Sequence, residues 1–157
     1  MKKLILLSSV CFIFWACGNN EDPKSKAYDQ SNLSADEQLY KEVIEGHDVG
    51  MAKINTINKT KAQLVRMLDS IESNKVKISA EMKAGMNKAI TDLDEANKAM
   101  FKWMEEFKVD SAADDVKKRI AYLTSEKVSV TIVKDKILNG LAYADSVTAE
   151  FLSKKLD

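Results

Sequence analysis

One imidazole and three thioethers are the side chains in this chain whose spacing could make a chemical site. His47 and Met51 are four residues apart, as are Met100 and Met104, so each pair shares one face if its segment is helical. If the two segments form an antiparallel hairpin turning at about residue 75.5, facing residues have numbers totalling about 151. His47 then faces Met104, and Met51 faces Met100. At interaxial distances of about 8–10 Å such side chains touch. Imidazole with thioethers is a soft ligand set suited to Cu(I), and the nearby indole of Trp103 could cap the cation. The same spacing is also what an apolar stripe produces, with methionine filling gaps, Trp103 and Phe107 anchoring the core, and His47 hydrogen-bonded in the seam.

Other site chemistries are restricted by residue supply. Both cysteines, Cys11 and Cys17, fall in the first seventeen residues, and His47 is the one histidine, so sites needing several imidazoles or a Cys₂His₂ set cannot be built. The carboxylate pairs Glu105-Glu106, Asp114-Asp115 and Asp92-Asp94 read as solvated faces and helix-dipole partners. A di-iron bundle would need a Glu-x-x-His on each of two helices. The five glycines, at 18, 46, 50, 85 and 140, are too scattered for a phosphate loop. Gly46 and Gly50 flank His47; they permit close helix approach or, the more ordinary effect in water, simply soften the helix. The expectation is a protein that is not an enzyme.

The elements that must position these side chains are helices. After Pro23, the sole proline, apolar residues recur at spacings of three and four to the end of the chain. Ser34 with Glu37 forms a capping box that starts a first helix over about 35–72, with the stripe Val43, His47, Gly50, Ile54, Ile57, Lys61, Leu64, Leu68, Ile71. Ser73 to Ile78 interrupts it, and Ser79 is placed to cap a second helix. Its stripe is Met82, Met86, Ala89, Leu93, Ala96, Met100, Trp103, Phe107. Ser111 with Asp114 offers a second capping box. A third stripe follows: Val116, Ile120, Leu123, Val130, Val133, Ile137, Leu141, Ala144, Val147 or Thr148, and Phe151. The β-branched run near Val128 to Val133 and the Asn139-Gly140 pair are its weak points. The expected fold is all-α, an up-down-up antiparallel bundle of three long helices over 34–157 with coiled-coil-like packing. A break in the third helix would make four.

The N-terminus is organised differently. Lys2 and Lys3 precede a twelve-residue apolar run, Leu4 to Trp15, too short to cross a bilayer core of about 30 Å. It reads as a signal segment over 1–16. Phe14-Trp15-Ala16-Cys17 resembles the lipobox of bacterial lipoproteins, with Phe14 where Leu is usual. That resemblance implies a mature chain starting at Cys17, thioether-linked to diacylglycerol and further acylated. The alternative is an ordinary signal peptide cut near Ala16. Residues 17–33 form a polar tether. Gly18 after the cysteine implies, within the same resemblance, delivery to an outer membrane, and Glu21-Asp22 is similar to the acidic surface-export signals of Bacteroidota lipoproteins. The expected location is a cell membrane or outer membrane, lipid-anchored, facing periplasm or cell surface.

Removal of Lys2 and Lys3 leaves 22 basic against 24 acidic side chains, a net charge near −2 with the signs interspersed. That argues against a nucleic-acid partner, which needs a clustered basic field. The segments Tyr40 to Met51 (YKEVIEGHDVGM) and Phe101 to Phe107 (FKWMEEF) resemble the small Bacteroidota lipoproteins often labelled viral A-type inclusion proteins. Val49 and Ala52 stand where such relatives often have Glu and Pro. The label reflects coiled-coil-like composition, and the resemblance implies no particular activity. Envelope proteins are the expected partners, in a structural or interaction role.

Overall fold

The computed structural model describes residues 33–155, so the expected signal segment, Cys17 and nearly all of the tether lie outside the described residues. Within them the chain forms α1 (Ala35–Met51), α2 (Ile54–Ser73), α3 (Ala80–Glu106) and α4 (Val116–Lys155), with no strand among the described residues. The all-α bundle expected from the stripes is what forms. Every residue of the second stripe from Met82 to Trp103 is buried, as are Val43, Ile57, Leu64, Leu123, Val130, Ile137 and Ala144. Val116, expected in the core, is 60% exposed.

Ion pairs and close approaches give the topology. Between α2 and α3, Lys61 bonds Asp94, and Lys83 bonds Glu72 at 2.7 Å. As one residue number rises the other falls, so the helices are antiparallel. Lys136 with Glu95 at 3.1 Å and Trp103 with Glu126 at 2.9 Å show the same for α3 and α4. Asp36 with Arg119 at 3.3 Å and Glu42 with Lys127 at 2.8 Å rise together, so α1 and α4 run parallel. This is an up-down-up arrangement.

The expected break is misplaced. α4 runs unbroken through Asn139-Gly140 and the β-branched run, because one face is held throughout against α3 and α1. Instead the first arm, expected as one helix over 35–72, divides at Ala52 and Lys53. No proline or capping side chain marks the place, and Lys53 makes no side-chain cap. Here the amide of Lys53 donates to the carbonyl of Gly50 at 2.9 Å, a tight turn beside a flexible residue, and such a site kinks a helix. Facing pairs record the result. Lys61 is opposite Asp94, but Gly50 is opposite Met100, so eleven residues of the first arm pass only six of α3. Beyond the kink, α1 leans off α3 and packs chiefly on α4.

Helix ends follow local chemistry. Ser34 and Glu37 form the expected capping box, and the Ser79 hydroxyl accepts from the amide of Met82 at 3.1 Å. The box expected at Ser111 and Asp114 does not form. Asp115 caps α4 instead, its Oδ1 accepting from the amides of Lys117 and Lys118 at 3.1 Å each. α2 ends with the amides of Val76 and Lys75 donating to the carbonyls of Ile71 and Glu72, with Lys75 at φ 52° in the position glycine usually fills.

Candidate functional site

The end of the bundle where α1 begins, α3 ends and α4 begins is an aromatic cluster built around Trp103. Trp103 is 7% exposed and stacks on Phe107 with centroids 4.9 Å apart. Phe107 in turn lies 6.5 Å from Tyr40 and 6.1 Å from Tyr122. The His47 ring is 5.8 Å from Trp103. The cluster thus draws Tyr40 and His47 from α1, Trp103 from α3, Phe107 from the C-cap of α3 and Tyr122 from α4. Ring pairs at these separations are worth about 0.5–1.5 kcal/mol beyond their buried area.

Polar groups close the cluster. The indole Nε1 donates to Glu126 Oε2 at 2.9 Å, and the Tyr122 hydroxyl accepts from the amide of Lys108 at 2.7 Å. Arg119 lies 6.0 Å from the Tyr40 ring, pairs with Asp36, and donates to the carbonyls of Val109 and Ser111 at 3.0 and 3.3 Å. One guanidinium therefore ties the start of α1 to the connection between α3 and α4. The Ser34 hydroxyl, helped by Arg119, holds the Asp36 carboxyl below the ordinary carboxylate range.

The residues singled out from sequence are placed as follows. Trp103 and Phe107 lie in the cluster, and Cys17 lies outside the described residues. The facing register here is within one residue of the expected one: the His47 ring lies by Trp103, the residue before Met104, and Gly50, the residue before Met51, meets Met100. Met100 is fully buried with its methyl against Gly50, whereas Met104 is 39% exposed and Met51 only partly buried. His47 Nδ1 is 2.9 Å from Asp48 Oδ1 on its own helix. Among the described residues, no three His, Cys, Asp or Glu side chains are gathered at one point. The glycines do more than soften α1. A Cβ at Gly46 would come within 2.9 Å of Val130 Cγ1, and one at Gly50 would overlap the Met100 methyl, so both allow close helix contact.

Sequence spacing missed Tyr40, Tyr122 and Arg119. Tyr40 was within reach, because extending the first stripe three residues back from Val43 lands on it. Arg119 sits four before Leu123 on the third stripe, disguised by its charge. Phe101 lies off the second stripe and is 44% exposed. It lies seven residues, two turns, beyond Asp94, on the side of α3 that Lys61 of α2 grips and that α1 leaves uncovered past the kink. Met104, three further on, shares that side. No helix among the described residues is long and apolar enough to cross a membrane. No protein-family model, curated protein or solved structure matches the chain.

Proposed function

We propose that the chain is a lipid-anchored envelope protein with a non-catalytic role, whose helical bundle docks a protein partner along the side of α3 that carries Phe101 and Met104. The observation that carries the docking half is the exposure of this pair, 44% and 39%, on a helix whose other large apolar residues are enclosed. Neighbouring exposed apolar side chains above a rigid aromatic base favour a contact site, with Trp103 behind them fixing the backbone. The anchoring half rests on Ala16-Cys17 at the end of the apolar run.

Mass spectrometry of the mature N-terminal peptide tests the anchor, and an unmodified Cys17 or cleavage past it would refute it. For docking, a photo-crosslinking residue at position 101 should give a discrete protein adduct in envelope fractions. The same residue at Ser146, an exposed polar position on α4, should not, and Met104→Asp should abolish the adduct. Equal yields from both positions would remove this face from consideration.

A further inference from the structure

At the opposite end of the bundle, the end of α2, the connection to α3 and the last turns of α4 enclose a two-lobed cleft. The smaller lobe, about 170 Å³, lies among Val76, Ile78, Met82 and Phe151. The larger, about 310 Å³, extends to Met67 and Leu152. Val76 and Phe151 line both lobes, so the two adjoin across them. Together they reach the lower part of the range of about 300–1,000 Å³ typical of small-molecule sites.

The charged residues lining the cleft all have one sign. Arg66, Lys77 and Lys154 contribute to its walls, and no carboxylate does. Lys154 pairs with Glu150 at 2.7 Å, whereas among the described residues Arg66 and Lys77 have no acidic side chain within ion-pair distance. An elongated apolar floor with cations on its rim complements an amphiphile having one hydrocarbon chain and one negative head. A two-chain lipid would exceed the volume.

We propose that this cleft binds a single acyl chain bearing an anionic head group, the chain lying along Phe151 and the head held at one end of the cleft, by Lys77 at the smaller lobe or Arg66 at the larger. The ligand is a separate molecule, since an acylated, thioether-linked cysteine would carry no anionic head for these cations to hold.

The test is titration of the full chain with dansyl-undecanoate, followed by displacement with palmitate, with lysophosphatidylglycerol and with uncharged monopalmitoylglycerol. Val76→Trp, which fills both lobes from a half-exposed position, should weaken probe binding at least about tenfold. Leu152→Asp, also half-exposed, should weaken it in the same direction without adding bulk. Arg66→Glu with Lys77→Glu should weaken both anions about tenfold and leave the neutral competitor within about twofold. Palmitate as the better competitor identifies a carboxylate head, and lysophosphatidylglycerol a phosphate. Circular dichroism melts confirm that each variant is folded. Probe affinity unchanged by both Val76→Trp and Leu152→Asp, or anions that compete no better than monopalmitoylglycerol, would overturn the proposal.

Discussion

The methyl group of Met100 occupies the space that a side chain on Gly50 would need, with Ile137 Cδ1 at 3.3 Å from the same point. Gly46, one turn earlier, meets Val130 in the same way. Their backbones reach α3 and α4 because neither carries a Cβ.

The four helical glycines should therefore respond differently to alanine. Alanine gains about 1 kcal/mol of helix propensity over glycine, while overpacking costs about 1–3 kcal/mol. At Gly46 the obstacle is the stiff branched side chain of fully buried Val130, so Gly46→Ala should destabilise. At Gly50 the obstacle is the flexible end of Met100, so Gly50→Ala should cost less, and still less in a Met100→Leu background. Gly85 and Gly140 have no neighbour nearer than 3.5 and 3.4 Å to an added Cβ, and their alanine variants should gain stability by up to about 1 kcal/mol. Lys75→Gly should also stabilise, by about 1 kcal/mol, because Lys75 holds a left-handed conformation. Urea midpoints of the five variants check the order, and a stabilised Gly46→Ala would contradict it.

Trp103 joins the cluster through two ring contacts and one hydrogen bond. Trp103→Ala should cost about 3–5 kcal/mol, the usual range for removing a buried large aromatic. Trp103→Phe keeps most of the apolar contact but leaves Glu126 without its donor, so its loss should be smaller. Thermal unfolding of the two variants separates packing from the hydrogen bond, and an unchanged midpoint for Trp103→Ala would show that the cluster does not stabilise the fold.

Asp94 links α2 to α3 and has a pH signature. Hydrogen bonds from Lys61 and then Lys98 lower its carboxyl from 3.8 to about 2. A depressed acidic group stabilises the fold above its unfolded value and loses that contribution as pH falls through the folded one. The advantage of wild type over Asp94→Asn in urea should be complete above about pH 5, shrink below pH 4 and be nearly gone at pH 2. Added salt should reduce it, since the pair is partly exposed. A constant difference across this range would count against the bridge.

Most of the bundle was legible because burial on a helix repeats every three to four residues. From Met82 to Trp103 the stripe and the buried face coincide, and the Ser34 box and Ser79 cap announce their helices. The kink at Ala52 and Lys53 was not legible, since it has neither proline nor cap and lies at the tight turn between Gly50 and Lys53. Conversely, Asn139-Gly140 and the β-branched run looked weak but stay helical, because tertiary packing outweighs the roughly 1 kcal/mol or less that each residue disfavours helix. The facing total of about 151 holds at this end, where His47 lies by Trp103 and Gly50 meets Met100, and fails between α2 and α3, where Lys61 meets Asp94.

The placement of these side chains bears on the soft-metal expectation. A Cu(I) site from His47, Met51, Met100 and Met104 needs four lone pairs converging on one point. Here the end of Met100 is enclosed against Gly50 and Ile137, Met104 is 39% exposed, and the His47 ring lies by Trp103 with Nδ1 turned to Asp48. Convergence would require Met100 to leave a fully buried position, forfeiting packing of the order of 1–3 kcal/mol before any ligand bond formed. Titration of the full chain with Cu(I) against a competing chelator should accordingly give the same curve for wild type, His47→Ala and Met100→Leu. The fluorescence of Trp103 should not respond, read in a Trp15→Phe background so that Trp103 is the sole indole. One equivalent bound by wild type and lost in both variants, with quenching of Trp103 and weakening as pH falls through about 6.5, would establish the metal centre instead.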